Sequence, residues 1–494
     1  PAAGETRGKS AAGGVAVVVV AAPSPLPGDE APAEEAASAG EEEAPPRQGS
    51  PMESAAGSPA EGSPVEGSPA LSDPDCETAL TLDDFELLRL IGKGGYGKVF
   101  QVRCALNGEV YAMKVVDKAS VERYRSMDNI ATELSVLRRY AEHRHPFILG
   151  LECAFQSALK LHFVMEYVPG GMLFNHLRQQ EMFSEKMARF YAAEIGGDRG
   201  RCAEIGPARP RAPPHGEVLL GLEHLHTMRI IYRDLKPENV LVCADGNVKL
   251  CDFGLAAIGL TAPATQPSAS GRPVLIGTTE YMAPEIIRML ECGQAVDLWA
   301  LGVLLYEMVT GEAPWYHKEA KELQRKIVHT KPKLPSWLAS ETRSLLKGLL
   351  TKEPRTRLGV HPESEVCESD AIAIKAHAFF RGLNWRMLEL RRLEPPLLPA
   401  LADGALDVSN FDSKYTLERP EMSPPRKPLS SAMEERFSNL DLEYMSPETR
   451  DSVRASVRSS NASSVGSARS SRRSPTASGA DSSLLRFAPR PPKR

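Results

Sequence analysis

Residues 232–239 (YRDLKPEN) carry three side chains that together could move a phosphoryl group. Phosphoryl transfer needs a carboxylate that orients the acceptor hydroxyl, a cation beside the moving phosphate and an amide oxygen that binds a metal ion. Asp234, Lys236 and Asn239 supply these groups in that order. The segment is therefore predicted to be a catalytic loop, with Asp234 and Lys236 as its catalytic residues.

Two further short motifs follow this loop. Asp252-Phe253-Gly254 begins 13 residues after Asn239 and offers a carboxylate for Mg²⁺, and residues 283–285 (APE) close the segment that comes next. Asn239 and Asp252 are therefore the predicted metal ligands. Each string alone could belong to an ordinary core, but their combined order and spacing make a chance match negligible.

A glycine-rich stretch, residues 92–99, lies between two predicted strands and fits the pattern G-x-G-x-x-G-x-V. The pattern is often a coincidence, and here it opens no helix, which argues against a dinucleotide-binding fold. Between strands, glycines let backbone N–H groups close over a polyphosphate. We therefore predict a phosphate-covering flap. Its members are Gly92, Lys93, Gly94, Gly95, Tyr96, Gly97, Lys98 and Val99.

Lys114 and Glu133 complete the predicted phosphate-binding group. Lys114 lies on the next predicted strand, and Glu133 follows 19 residues later on a predicted helix. Such charges are usually ordinary surface groups. Behind a glycine flap, however, a lysine held by a glutamate binds the first two phosphates of ATP. The motifs together predict ATP and Mg²⁺ as cofactors.

Hydropathy patterns predict the elements that position these residues. Residues 127–140 repeat apolar side chains at helical spacing, and helical periodicity dominates beyond Gly170. Strands are predicted at residues 85–90, 99–102, 110–115, 147–155, 160–167, 240–242 and 248–251. The fold class is therefore α+β, with a small lobe of antiparallel sheet plus one helix and a larger, mainly helical lobe.

One segment interrupts this pattern. Residues 190–195 and 219–226 each look like half of one buried amphipathic helix, but residues 196–218 between them are rich in proline, glycine and arginine. Proline and glycine cost about 3 and 1 kcal/mol in a helix interior, so this segment cannot continue the helix. It is either a disordered loop, which is tolerable because loop-closure entropy grows slowly with length, or an artefact of a retained intron or of the gene model.

The two ends of the 494-residue chain are rich in Pro, Gly, Ser and Ala, and they cannot bury enough apolar surface to fold. Residues 1–79 carry 14 acidic and three basic side chains, whereas residues 448–494 carry three acidic and ten basic ones. Such tails are usually solvated but could bind partners. We expect residues 1–79 to be a disordered acidic tail and residues 453–494 to be a disordered basic, Ser/Arg-rich tail.

The remaining composition indicates an intracellular chain. The eight cysteines show no CxxC pair and no metal-ligand spacing with histidine, as expected for reduced thiols. The net charge of −5 does not suggest nucleic-acid binding. Residues 15–22 are apolar but too short for a bilayer span of about 20 residues, and no cleavage site follows them. We expect a cytoplasmic or nuclear protein without a transmembrane segment. Because the chain begins with Pro1, we expect its N-terminus to be incomplete.

With these motifs in place, the sequence resembles a eukaryotic protein kinase of the AGC class, and it is most similar to the ribosomal protein S six kinases. The resemblance rests on residues 90–103 (LIGKGGYGKVFQVR), residues 232–239, residues 277–285 and residues 377–399, and it covers about 85–444. It implies a kinase domain at 85–380 and an AGC C-terminal extension at 381–452.

The resemblance also assigns roles to residues in the cleft between the lobes. Adenine would lie between Ile91, Val99, Ala112 and Leu241, with Met165 at the back of its pocket. Glu166 and Val168 would belong to the hinge whose backbone binds the base. Four residues would stack as a spine joining the lobes, although they could equally be ordinary core. They are Leu137, Leu151, Tyr232 and Phe253.

The sequence departs from the family pattern at two positions near the substrate. The threonine that relatives phosphorylate three residues before Gly277 is replaced by Val274. Arg233, which pairs with that phosphate in relatives, would need another partner, and the candidates are Thr265, Ser268 and Ser270. An acidic residue that relatives use for a substrate arginine is replaced by Met172, while Glu238 remains.

The C-terminal extension carries further family features. Phe411-Asp412 resembles the adenine-covering segment, and Ser423-Pro424 resembles the turn phosphorylation site for an upstream kinase. Residues 437–442 align with the hydrophobic motif, and Asp441 occupies its phosphate position. A fixed carboxylate could partly replace phosphate, or the motif could be degenerate, since leucines replace its aromatics.

The leading hypothesis is a serine/threonine protein kinase that uses ATP and Mg²⁺ in intracellular signalling. Lys236 favours serine or threonine over tyrosine as acceptor, and we expect protein substrates with basic residues before the acceptor. The alternative is a pseudokinase or a catalytically silent scaffold, which Val274 and residues 196–218 favour. A third interpretation makes the charged tails the main functional parts, but they contain no discrete motif.

Overall fold

The computed structural model describes residues 80–94, 97–124, 126–141, 144–196, 221–268, 273–361, 363–364, 371–423 and 428–470. The predicted acidic tail 1–79, nearly all of the insertion 196–218 and residues 471–494 lie outside these ranges. The described strands are β1 (Phe85–Lys93), β2 (Gly97–Cys104), β3 (Val110–Asp117), β4 (Leu151–Gln156), β5 (Lys160–Glu166), β6 (Ile230–Ile231), β7 (Val240–Val242), β8 (Val248–Leu250), β9 (Ala257–Ile258), β10 (Thr265–Pro267), β11 (Pro273–Leu275) and β12 (Tyr444–Met445).

The helices divide between the lobes and the C-terminal extension. They are α1 (Lys118–Tyr124), α2 (Met127–Ala141), α3 (Leu173–Gln180), α4 (Glu185–Gly196), α5 (Gly221–Thr227), α6 (Pro284–Ile287), α7 (Ala295–Thr310), α8 (Ala320–His329), α9 (Ser340–Leu349), α10 (Ala371–Lys375), α11 (Trp385–Glu389), α12 (Ser413–Thr416), α13 (Ser431–Ser438) and α14 (Pro447–Ser470). None of these described helices has both the length and the apolar character needed to cross a bilayer.

The small lobe is a six-stranded sheet with α2 packed against it. Its strands run in the order β1-β2-β3-β5-β4-β12, and each neighbouring pair is antiparallel. The sequence predicted all five of the first strands, although β4 begins later than predicted. The sixth, β12, comes from the C-terminal extension and was not predicted, because a two-residue strand leaves no hydropathy pattern.

The strand predicted at 147–155 begins only at Leu151, which corrects the prediction. The apolar residues before it bond to the large lobe instead. The amide of Leu149 donates to the carbonyl of Leu250 at 2.8 Å, and the amide of Leu250 donates to the carbonyl of Phe147 at 2.9 Å. This run is therefore a buried crossing between the lobes, and burial makes it look like a strand in sequence.

The large lobe is organised around α7, whose residues are almost all buried. Trp299 of α7 stacks on Trp315 with ring centroids 5.4 Å apart. Arg357 bonds through both of its terminal nitrogens to Glu285, at 2.7 and 2.9 Å, and the pair is buried. The hairpin β7–β8 lies beside this core and carries the residues that follow the predicted catalytic loop.

The predicted insertion falls between α4 and α5. The two halves predicted at 190–195 and 219–226 correspond to α4, which ends at Gly196, and α5, which begins at Gly221, and these two helices contact each other. What lies between them is outside the described residues.

The C-terminal extension runs back over the small lobe. The side chains of Phe437 and Leu442 are each 1% exposed, and β12 then pairs with β4, with Tyr444 opposite Ala154. Residues 453–470 were expected to begin a disordered tail but continue α14. Val453, one of the few apolar residues of α14, is buried.

Candidate active site

A buried carboxylate holds the backbone of the predicted catalytic loop. Asp297, on α7, accepts hydrogen bonds from the amide of Tyr232 at 2.9 Å and the amide of Arg233 at 2.7 Å. His226 lies 2.7 Å from the same carboxylate. Arg233 has a φ of 64°, a conformation that costs energy and needs such support. Sequence reasoning missed Asp297, although a carboxylate among the apolar residues of α7 is a usable signal.

The structure brings Asp234, Lys236 and Asn239 together. The Lys236 amine donates to Asp234 Oδ2 at 2.7 Å, and Asn239 Nδ2 donates to the same oxygen at 2.8 Å. Thr278 joins the group, because its hydroxyl donates to Asp234 Oδ1 at 3.2 Å and accepts from Lys236 at 3.0 Å. Thr278 lies in residues 277–285, which carry the family resemblance, but no role was predicted for it.

Burial changes the protonation of this group. It raises the pKa of Asp234, and the neighbouring Lys236 ammonium opposes that rise. Burial alone would lower the pKa of Lys236, but the charge and hydrogen bond of Asp234 outweigh it and hold that pKa above its usual value. Lys236 is thus a permanent cation, whereas Asp234 becomes a proton acceptor of increased basicity.

Lys114 links the sheet, the helix α2 and the Asp-Phe-Gly segment. Its amine is 2.6 Å from Glu133 Oε1 and 3.3 Å from Asp252 Oδ1, and all three side chains are at most 6% exposed. Burial lowers the pKa of Lys114, but the two carboxylates outweigh it and raise that pKa overall. The predicted pair Lys114–Glu133 is therefore formed.

The predicted metal ligands offer buried oxygens that suit a divalent cation. Asn239 is fully buried and Asp252 is 6% exposed. Among the described residues, Asn239 Oδ1 and Asp252 Oδ2 have no hydrogen-bond partner. Buried acceptors are normally satisfied, and Mg²⁺ takes one or two protein oxygens together with phosphates and waters. These two oxygens therefore fit Mg²⁺ bound with a phosphate ligand.

The flap is held by the strands on either side of it. A Cβ atom on Gly97 would lie 1.8 Å from the carbonyl oxygen of Val115, so only glycine permits this close approach of β2 to β3. Lys93 pairs with Glu418, and Lys98 donates to the carbonyl of Glu421 at 2.8 Å, so both flap lysines contact the C-terminal extension. Gly95 and Tyr96 lie outside the described residues.

The residues assigned to adenine by resemblance come from both lobes. Ile91, Val99 and Ala112 belong to the apolar cluster of the small lobe, and Leu241, on β7, belongs to the other main cluster. The predicted cover from the C-terminal extension lies beside them, because the ring of Phe411 stacks on Tyr167 with centroids 5.9 Å apart.

The hinge residues connect the two lobes. The carboxylate of Glu166 pairs with Lys249 on β8, so it faces the large lobe. Val168 is buried and its carbonyl accepts from the amide of Gly171 at 3.4 Å.

The four predicted spine residues are all buried at 2% exposure or less. The rings of Tyr232 and Phe253 meet edge to face at 5.6 Å. Leu137 and Leu151 belong to the same apolar cluster as these two rings.

Arg233 has partners although Val274 cannot carry a phosphate. Its guanidinium donates to the backbone carbonyls of Leu255 at 2.7 Å, Ala256 at 3.1 Å and Pro263 at 3.1 Å. Neither Thr265 nor Ser268 appears among these acceptors, and Ser270 lies outside the described residues.

A further contact links the β10–β11 hairpin, which contains Val274, to α2. Val274 pairs with Gln266 in the β10–β11 hairpin, and the side chain of Asn129 donates to Gln266 Oε1 at 3.0 Å. Since α2 also carries Glu133, this contact connects the segment to the helix that holds Lys114.

An acidic group lies next to the catalytic loop. Burial raises the pKa of Glu307 to about 7, with Glu238 and Glu280 adding to the rise. Burial also raises the pKa of Glu238. Met172, in contrast, is buried and contributes no charge. Sequence reasoning found Glu238 and missed Glu307, which lies on the apolar helix α7 with no motif around it.

The comparisons with known proteins agree with this arrangement. A model described as the protein kinase domain matches residues 85–197 and 214–372, and one described as the protein kinase C-terminal domain matches residues 403–439. The gap between the first two ranges falls inside the predicted insertion.

Three relatives align with most of the chain. The RAC family serine/threonine-protein kinase homolog of Dictyostelium discoideum is 38% identical over 69% of this chain and 67% of its own length. The serine/threonine-protein kinase gad8 of Schizosaccharomyces pombe is 37% identical over 77% and 60%, and the RAC-beta serine/threonine-protein kinase B of Xenopus laevis is 37% identical over 73% and 65%.

The chain thus spans 60% to 67% of the length of these relatives. The kinase-domain match covers more than half of the chain, and the antiparallel small lobe with its mainly helical partner is the two-lobed kinase fold. The chain belongs to the protein kinase family and, with its kinase C-terminal domain, to the AGC type of serine/threonine kinases.

Proposed function

We propose that this chain transfers the γ-phosphate of ATP to serine or threonine in protein substrates. One observation carries the proposal. The buried group of Lys114, Glu133 and Asp252 is complete, while Asn239 Oδ1 and Asp252 Oδ2 are left without hydrogen-bond partners among the described residues. A pseudokinase would not need two buried oxygens of the kind that bind Mg²⁺.

Each catalytic side chain has a role that its contacts support. Asp234 orients the acceptor hydroxyl and takes its proton, and its raised pKa makes it a better base. Lys236, fixed between Asp234 and Thr278, provides positive charge beside the transferred group. Lys114 positions the phosphates from the sheet side. Mg²⁺ held by Asn239 and Asp252 would neutralise charge on the phosphates.

Basic residues before the acceptor fit the acidic group beside the loop. The charge of Glu238 helps to raise the pKa of Glu307, whose carboxylate accepts a hydrogen bond from the hydroxyl of Tyr281. A substrate cation would relieve this repulsion. Because Met172 carries no charge, the preference should be less steep than in a relative with an acid there.

The C-terminal extension offers a second site for regulation. The amine of Lys160 donates to the carbonyl of Ser423 at 2.7 Å, and Lys98 donates to the carbonyl of Glu421. A phosphate on Ser423 would gain these two ammonium groups as partners. We therefore propose Ser423 as the acceptor of an upstream kinase.

Two finer assignments are also proposals. The motifs at 90–103 and 377–399 support membership of the ribosomal protein S six subgroup. The five described cysteines Cys104, Cys153, Cys243, Cys251 and Cys292 are free and buried. Free thiols suit a reducing compartment, which supports a cytoplasmic or nuclear location.

The test uses the purified chain with γ-labelled ATP, Mg²⁺ and a positional peptide library. We expect label on serine and threonine, with basic residues selected before the acceptor. Asp234→Asn keeps the size and one of the hydrogen-bonding oxygens but cannot accept the proton, and it should remove the activity. Equal labelling by the parent and the Asp234→Asn variant, or no ATP binding by the parent, would refute the proposal.

A further inference from the structure

The segment that follows the hydrophobic motif fastens the C-terminal extension to the small lobe. We call residues 444–453 the C-terminal anchor. It adds β12 to the edge of the sheet beside β4, and the amide of Ser446 continues the pairing by donating to the carbonyl of Glu152 at 2.7 Å. The anchor ends at Val453, which is 5% exposed. Strand addition of this kind joins two segments mainly through backbone hydrogen bonds.

Ser446 lies at the centre of the anchor. Its side chain is fully buried, and its hydroxyl donates to Glu152 Oε2 at 2.8 Å. The same hydroxyl accepts from the amide of Thr449 at 3.1 Å, which caps the start of α14. Thr449 also donates through its hydroxyl to Glu152 Oε2 at 2.8 Å.

The carboxylate of Glu152 has a defined set of partners. Arg144 donates to both of its oxygens at 3.0 Å and also lies 3.3 Å from Glu448 of the anchor. Arg144 therefore pairs with two carboxylates, those of Glu152 and Glu448. The hydroxyl groups of Ser446 and Thr449 complete the site by donating, and neither brings further negative charge.

We propose that Ser446 is a phosphorylation site for a proline-directed protein kinase, and that its phosphate prevents the C-terminal anchor from docking. Ser446 is followed by Pro447, the dipeptide that such kinases accept. In the transfer, Ser446 Oγ forms a bond to the γ-phosphorus of ATP on that kinase. The bond from this phosphorus to the β–γ bridging oxygen breaks, ADP leaves, and the hydroxyl proton passes to the base of that kinase.

The phosphate is incompatible with the docked anchor for two reasons. It carries a charge of about −1.5 to −2 and no hydrogen to donate at neutral pH. It would thus lose the bond to Glu152 and place like charges in contact in a buried site. In addition, the serine side chain is already fully buried, so the larger phosphate would have to displace its neighbours.

A plainer role for Ser446 is to cap α14, since serine followed by proline is a common helix start. A phosphate at the start of an isolated helix would even be favourable. What makes it unfavourable here is Glu152, so the effect should depend on the charge of that residue. Because Ser446 is buried in the docked state, the modifying kinase should reach it only when the anchor is released.

The docking part of the proposal is tested on the full chain with phosphoserine incorporated at position 446. Hydrogen exchange should show at least tenfold faster exchange across residues 444–453 than in the unmodified chain. Phosphoserine at the exposed Ser438 is the matched control and should leave this segment unchanged. Glu152→Gln should restore part of the protection. Equal protection with and without phosphate at 446 would overturn the proposal.

The modification itself is tested with a purified cyclin-dependent kinase and ATP, followed by site-resolved mass spectrometry. The chain carries Asp234→Asn, so that the outcome is independent of its own proposed activity. Val453→Asp, which should release the anchor, is expected to accelerate phosphorylation of Ser446 at least tenfold, with Ser63-Pro64 as the internal reference. A thermal unfolding transition like that of the parent would show that the variant is folded. Absence of phosphate on Ser446 in that released variant would refute the site.

Discussion

The guanidinium of Arg138 on α2 donates to the carboxylate of Asp441 in the C-terminal extension at 2.5 Å, and its second nitrogen donates to the carbonyl of Glu443 at 2.8 Å. In the family resemblance Asp441 aligns with the phosphate position of the hydrophobic motif, and this pair is the contact that its carboxylate makes with α2. α2 is also the helix that carries Glu133, so the pair connects the extension to the group around Lys114.

The apolar contacts of the extension should matter more than this ion pair. The Asp441 side chain is 84% exposed, and exposed pairs contribute about 0 to 1 kcal/mol. Phe437 is 1% exposed, and truncating a buried phenylalanine costs about 3–5 kcal/mol. We therefore expect Asp441→Asn to lower peptide-kinase activity less than about fivefold, which is about 1 kcal/mol, and Phe437→Ala to lower it further. A steady-state assay of both variants checks this ranking, which a larger loss from Asp441→Asn would contradict.

Activity should depend little on phosphorylation of residues 252–285, the activation segment. Val274 accepts no phosphate, and the guanidinium of Arg233 is already bound by three backbone carbonyls. Phosphatase treatment should therefore leave most of the activity, whereas truncation at Arg436 should remove more of it. Measuring both on one preparation checks the prediction. If phosphatase treatment removed nearly all of the activity and truncation removed none, the prediction would be wrong.

Lys114→Met should impair phosphoryl transfer. The change removes the cation between Glu133 and Asp252 and leaves two carboxylates close together in a buried site. We expect turnover to fall by about 100-fold or more, as for a misplaced reacting group. Lys321→Met on the exposed face of α8 is the matched control and should turn over like the parent. Equal turnover of the two variants would show that Lys114 has no role in phosphoryl transfer.

Some of the site residues could be predicted from the sequence, and others could not. Short motifs specify residues such as Asp234 and Asn239, because phosphoryl transfer demands particular groups at fixed spacing. They do not specify Asp297, Thr278 or Glu307, which reach the site through the packing of α7 and the activation segment. Strand β12 likewise follows from tertiary pairing rather than from its own two residues.

The buried pair Arg357–Glu285 should contribute strongly to stability. Arg357 is 2% exposed, and removing one partner of a buried pair leaves an uncompensated charge, at a cost of about 3–5 kcal/mol. We expect Arg357→Leu to lower the thermal unfolding midpoint by several degrees. The matched control is Arg325→Leu, which breaks the exposed pair with Glu322 and should change it little. Equal midpoints for the two variants would contradict this assignment.

Selection of basic substrates should depend on pH through Glu307. Burial raises the pKa of this carboxyl to about 7, so it is neutral below that pH and charged above it. The ratio of kcat/KM for an arginine peptide to that for its glutamine counterpart should therefore rise between pH 6 and 8. Taking the ratio cancels the protonation of Asp234, which acts on both peptides alike. Glu307→Gln should flatten the profile, and a parent ratio that stays constant across this range would show that Glu307 does not contact the basic residue.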